Sequence, residues 1–115
     1  MATKSPTSRA LAELKQLKYV AQVVERWNPW AKKRIDLFGF ADLIYLTDAS
    51  IVALQVTTDD NLSKRRAKIV AEPRAKAWLQ AGGLIEVWGY GKKGARGEVK
   101  KWVCRKEEIV MEDFA

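Results

Sequence analysis

Residues 42–57 constrain the fold most tightly. They contain two strand-forming runs, DLIYLT and IVALQVT, separated by the turn Asp48-Ala49-Ser50. Apolar, β-branched and aromatic runs joined by a short polar turn read as an antiparallel β-hairpin, with strands at 42–47 and 51–57. Polar residues occupy positions where a core belongs. Asp42 opens the first strand, and Gln55 sits between Leu54 and Val56 in the second. The hairpin brings Asp42 and the 55–57 segment to the same end of a sheet. An earlier β-rich run at 19–26 carries Glu25 at its end, next to Arg26, as a candidate neighbour of both.

The rest of the chain is organised around this hairpin. Residues 1–7 are expected to be a flexible tail. Ser8 is a candidate cap for a first helix with Leu11, Leu14 and Leu17 on its apolar face, ending near Lys18. Asn28-Pro29 ends the 19–26 strand, and Lys32, Lys33 and Arg34 are placed on a loop. Asp60 or Asn61 caps a second helical region that Pro73 kinks or restarts and Gly82-Gly83 stops. Strands at 84–90 and 99–105 follow, joined by a glycine- and lysine-rich turn at 91–98. The expected architecture is α/β, in the order αβββαββ around a single mixed sheet, as one domain over residues 1–115.

Composition removes several chemistries. The chain has no histidine and one cysteine, Cys104. Intrachain disulfides, Cys/His zinc sites and Ser-His-Asp or Cys-His nucleophiles are therefore excluded. Cys104, inside a strand, reads as a packing residue. Hydrolysis here would rely on carboxylates, lysines and a hard metal ion. Asp42, Gln55 and Glu25 supply oxygen ligands of the kind that suit Mg²⁺ or Mn²⁺. Asp36, six residues before Asp42, is either a further ligand or an ion-pair partner of Arg34 or Lys33, and the structural role is favoured. No run is long enough to span a bilayer, and MATKSPTSRA has no apolar signal core, so a cytoplasmic location without membrane contact is expected.

The segment GFADLIYL-TDAS-IVALQVT resembles the core motif of the PD-(D/E)XK nucleases, including the VRR-NUC and archaeal Holliday-junction-resolvase branches. In that motif an Asp opens one strand, and after a short hairpin the next strand carries an acid or Gln, one spacer, and a Lys. By this resemblance Ala41-Asp42 stands for the first pair, Gln55 for the second acid, Val56 for the spacer and Thr57 for the lysine. Glu25 or Glu13 stands for the glutamate the family often adds. The resemblance covers roughly residues 8–90, and it implies a restriction-endonuclease-like fold and metal-dependent cleavage of DNA phosphodiesters. Two departures are visible. Gln55 is an uncharged ligand, and Thr57 lacks the positive charge that offsets a pentavalent transition state. In some relatives a nearby helix supplies that charge. Lys64 and Lys68, one turn apart, and Lys33 are the options, with Lys64 preferred.

Net charge is +7, with a pI near 9.7, which suits a polyanionic partner. The cations fall into three groups: Arg26 with Lys32, Lys33 and Arg34; Lys64, Arg65 and Lys68; and Lys92 and Lys93 with Arg96, Lys100 and Lys101. The first two flank the proposed site in sequence. Trp27 and Trp30, beside the first group, read as a hydrophobic mini-core or dimer contact, or as residues that stack on bases. The expected function is a structure-selective endonuclease resembling junction resolvases, acting on branched DNA as a homodimer. The alternatives are a catalytically inactive nucleic-acid-binding module on the same fold, and a protein-interaction domain.

Overall fold

The computed structural model describes residues 5–114. Helix α1 (Pro6–Gln16) begins three residues earlier than expected, because Ser5 rather than Ser8 caps it. The Ser8 N–H donates to Ser5 Oγ at 3.1 Å, and Pro6 occupies a first-turn position where no N–H is needed. Residues 5–7 thus belong to the helix and its cap, and the remainder of the expected tail lies outside the described residues.

Seven strands follow: β1 (Val20–Val23), β2 (Arg26–Asn28), β3 (Lys33–Ile35), β4 (Leu43–Leu46), β5 (Ile51–Thr58), β6 (Leu84–Lys93) and β7 (Lys101–Ile109). Helices α2 (Leu62–Val70) and α3 (Pro73–Gln80) connect β5 to β6. Five strands form one mixed sheet in the order β1-β4-β5-β6-β7, in which only β5 and β6 are parallel. The α2–α3 crossover is what a parallel pair requires. Pro73 restarts the helix rather than kinking it: Glu72 caps α3 by accepting the Arg74 N–H.

The expectation of a single sheet is corrected at β2 and β3, which pair only with each other. The run at 19–26 does not continue as one strand. It stops at Val23, and the chain enters a separate hairpin that puts Lys33 and Arg34 in β3 instead of on a loop. Asn28 makes the reversal, since its Oδ1 accepts the N–H groups of both Trp30 and Ala31. The last two strands are also longer than expected: β6 continues to Lys93, and β7 starts two residues later, at Lys101, but reaches Ile109. Gly91, Lys92 and Lys93 stay paired with Val103, Trp102 and Lys101, so the turn narrows to 94–100.

Alternation along β5 divides the core into two layers. Val52, Leu54 and Val56 face α1 and pack with Ala10, Leu14, Leu43, Tyr45 and Trp88. Ala53 packs on the opposite layer with Leu62 and Ile69 of α2 and Ala75 of α3. Gln55 and Thr57 share the α2 side of the sheet with Ala53, and both are buried. Cys104 packs against the α1 layer, where burial pushes its thiol up to about 11. None of the helices among the described residues is long and apolar enough to cross a membrane.

Candidate metal centre

Asp42 sits where three segments meet. Its N–H donates to the Leu54 carbonyl at 2.9 Å, which registers β4 against β5. Its own carbonyl accepts the N–H groups of Val24 and Glu25, at 2.9 and 3.3 Å. The backbone of Asp42 therefore fixes the exit of β1 and delivers Glu25. The carboxylate accepts the Val56 N–H at 2.9 Å and the Gln55 Nε2 at 2.6 Å, both on Oδ2.

A compact turn delivers the third acid. The Gly39 N–H bonds to the Asp36 carbonyl, and the Leu37 N–H to the Ala41 carbonyl, folding 36–41 back on itself. Phe38 and Gly39 both take positive φ, 54° and 79°. The positive φ is what favours glycine at position 39; a Cβ there would also lie 2.6 Å from Glu72 Oε1 and 2.7 Å from an Arg74 guanidinium nitrogen, ends of flexible side chains that would have to move. The turn buries Phe40 and Ala41 completely and swings Asp36 beside Asp42. One carboxylate oxygen from each of Glu25, Asp36 and Asp42 lies within 4.8 Å of the others.

Three carboxylates this close cannot all stay ionised without a counter-charge. Burial, opposed by the hydrogen bond from the Val56 N–H, pushes the Asp42 carboxyl up to about 8, and the charges of Asp36 and Glu25 push it the same way. The shift favours the protonated form of Asp42. Two cations border the group. Arg34 lies 3.4 Å from Glu25, and Lys68 Nζ lies 3.9 Å from Asp36.

Gln55 bears on what the group can hold. It is 2% exposed, and its Oε1 is buried with no hydrogen-bond partner. An orphaned amide oxygen in the interior costs about 1–3 kcal/mol unless something binds it. As placed, Nε2 faces Asp42; a half-turn of the amide would bring Oε1 to that carboxyl instead, where the Asp42 proton or a cation replacing it would satisfy the oxygen. Three carboxylates and one amide oxygen make a hard, all-oxygen donor set of the kind Mg²⁺ and Mn²⁺ accept. The residues present therefore fit a divalent ion.

The other expected site residues are distributed as follows. Glu13 is engaged on the α1 side of the sheet, accepting from Tyr90 Oη at 3.1 Å and pairing with Lys106, so the glutamate in the acidic group is Glu25. Thr57 is buried beside Gln55 on the α2 side. Lys64 is exposed one helical turn before Lys68, and among the described residues the lysine that pairs with the acids is Lys68. Lys33 alternates with Arg34 and so faces the other side of the β2–β3 hairpin. Arg26 and Lys32 are exposed on that hairpin, and Arg65 is half-buried on α2. Lys92 lies over the Trp102 ring, 5.4 Å from its centroid, and Lys93 pairs with Asp59 at 2.6 Å. Among the described residues Trp27 and Trp30 form no mini-core: they are 58% and 94% exposed. Asp36 and Lys68 take larger parts than the sequence assigned them. The clue was the glycine between Asp36 and Asp42. Comparison with known proteins gives no match: no family model, curated protein or solved structure is similar to this chain at a significant level.

Proposed function

We propose that this chain is a metal-dependent endodeoxyribonuclease with a restriction-endonuclease-like arrangement of helix, antiparallel strands, crossover helices and parallel strand. The observation that carries the reading is the convergence of the Glu25, Asp36 and Asp42 carboxylates, one oxygen of each within 4.8 Å of the others, with the buried amide of Gln55 bonded to Asp42. Those four residues would hold Mg²⁺ or Mn²⁺. Such an ion, when bound, polarises a phosphodiester oxygen and makes a water a competent nucleophile near neutral pH.

The chain's own groups divide the remaining work. Asp42 gives up its proton to become a ligand. Lys68, carried to Asp36 by α2, offsets the charge that grows on the phosphoryl oxygens, a task Thr57 cannot perform at the motif position. Arg34, beside Glu25, offers a guanidinium to a neighbouring phosphate. The reading extends to selection by DNA structure, with a homodimer presenting two sites to two strands. The second reading, a binding module that has lost catalysis, is favoured by Thr57 alone.

Incubating the protein with branched, single-stranded and linear DNA in Mg²⁺, Mn²⁺ or chelator tests these readings. Metal-dependent cutting is expected, falling on the order of 100-fold or more in Asp42→Asn and Asp36→Asn. Lys68→Ala is expected to lower cutting while leaving Mn²⁺ binding in place. Salt-sensitive binding without cutting would instead establish the binding module. No binding at low salt would overturn both.

A further inference from the structure

The β2–β3 hairpin grows directly out of the acidic group. Its register pairs Trp27 with Arg34 and Arg26 with Ile35. Continued by one residue, the same register sets Glu25 opposite Asp36, and their carboxylates do meet. Side chains two residues apart on a strand share a face. One face of the hairpin therefore carries Glu25 and Asp36 at its base and Trp27 and Arg34 next. The Arg34–Glu25 ion pair, at 3.4 Å, runs diagonally across that face. Two residues of strand span about 7 Å, close to the length of one nucleotide step.

The tip of the hairpin is built and exposed at once. Asn28 Oδ1 holds the N–H groups of Trp30 and Ala31, and Lys32 takes a positive φ of 51° to close the turn. Around this turn Arg26, Trp27, Asn28, Pro29 and Trp30 line a shallow cleft of about 240 Å³. Trp30 is 94% exposed and Trp27 58%. Four cations, Arg26, Lys32, Lys33 and Arg34, share the hairpin with the two indoles, and among the described residues Glu25 pairs with one of them, Arg34. Exposed indoles set among cations suit an occupant with accessible π-faces on an anionic backbone. Unpaired bases have both, whereas a duplex hides its base faces in the stack.

We propose that the β2–β3 hairpin is a stacking finger for single-stranded DNA, with Trp27 and Trp30 holding unpaired bases one to a few nucleotides from the phosphate at the acidic group. This deepens the nuclease reading and rests on it for the identity of the phosphate. It gives the substrate class as DNA with an unpaired strand, such as a flap or the open part of a branch.

The test is binding in chelator, where nothing is cut and the metal centre plays no part. Fluorescence anisotropy of a labelled oligo(dT) strand is compared with that of the same strand annealed to oligo(dA). The intact protein is expected to prefer the free strand. Trp27→Ala and Trp30→Ala are each expected to weaken strand binding about 5- to 100-fold, while Trp27→Phe, which keeps a stacking ring, retains most of it. Duplex binding should barely change. Mn²⁺ binding, measured separately by calorimetry, should persist in all three variants and so reports an intact fold. Unchanged strand binding in both alanine variants overturns the finger, as does an equal loss on strand and duplex. Strand binding that depends on Trp27 in a protein that takes up no Mn²⁺ would keep the finger and remove the nuclease reading.

Discussion

Asp42 must release a proton before it can hold a cation, and that ties the site to pH. Its carboxyl is raised from 3.8 to about 8, chiefly by burial and then by the charges of Asp36 and Glu25. Mn²⁺ affinity should therefore climb as pH rises from 6 toward 8. Binding at pH 7 should release close to one proton, seen as a buffer-dependent heat in calorimetry. Asp42→Asn should bind Mn²⁺ weakly and without that release. The same shift sets the sign of a stability effect. A carboxyl with a raised folded pKa stabilises the fold fully below its unfolded value, and this contribution is lost as pH rises through about 8. In chelator the protein should melt at a lower temperature at pH 8 than at pH 5. Each kcal/mol is worth about 4–8 °C in a domain of this order of size. Asp42→Asn, neutral in both states, should flatten the slope; a parallel slope in that variant would assign the effect to other groups. Asp42 and Gln55 were legible in the sequence because polar residues in apolar strands need partners. Asp36 was legible only as one of two alternatives, ligand or ion-pair partner, since its position depends on a turn whose positive φ angles no periodicity encodes.

The acidic group depends on short elements more than on the sheet. β1 stops at Val23, the 36–41 turn folds tightly, and three-residue strands β2 and β3 span the gap. Elements of three residues carry almost no hydrophobic pattern, and so β3 resembled a basic loop in the sequence. The long elements β5, α2 and β6 were readable because their apolar faces repeat over eight, nine and ten residues. Gly39 links the two kinds of element, since its bare Cα passes against Glu72 and Arg74 at the start of α3. Gly39→Ala meets both a strained φ of 79° and those side chains, at a cost of about 1–3 kcal/mol. The expected result is a lower urea midpoint together with weaker Mn²⁺ binding, because the turn that sets Asp36 beside Asp42 must shift. Normal Mn²⁺ affinity in a destabilised Gly39→Ala protein would show that the turn supports the fold without positioning the ligand.

Over the whole molecule, strand direction decides where the charge lies. β1 is antiparallel to β4, β4 is antiparallel to β5, and β5 is parallel to β6. The C-terminal ends of β1, β5 and β6 therefore emerge at one end of the sheet. The β2–β3 hairpin follows β1 at that end, Asp42 opens β4 there, and the β6–β7 arm carries Lys92 beyond it. Across β1, β4, β5 and β6 the two basic arms stand about 14 Å apart, with the carboxylates between them. Lys15 and Lys18 lie at the other end, where α1 leads into β1. A polyanion bound across the acidic end would release counterions from contacts with the arms and not from α1. The salt dependence of strand binding separates these sources, each phosphate contact adding about 0.7 to the slope of log K against log salt on single strands. Lys32→Ala with Lys33→Ala should lower that slope by roughly 1.4, and Lys92→Ala by about 0.7. Lys93→Ala should do less, since Asp59 already holds that ammonium at 2.6 Å. Lys15→Ala with Lys18→Ala should leave the slope as it was. An equal fall in the α1 variant would mean that the net charge of +7 attracts DNA from every side, and that the two arms do not direct it to the acidic end.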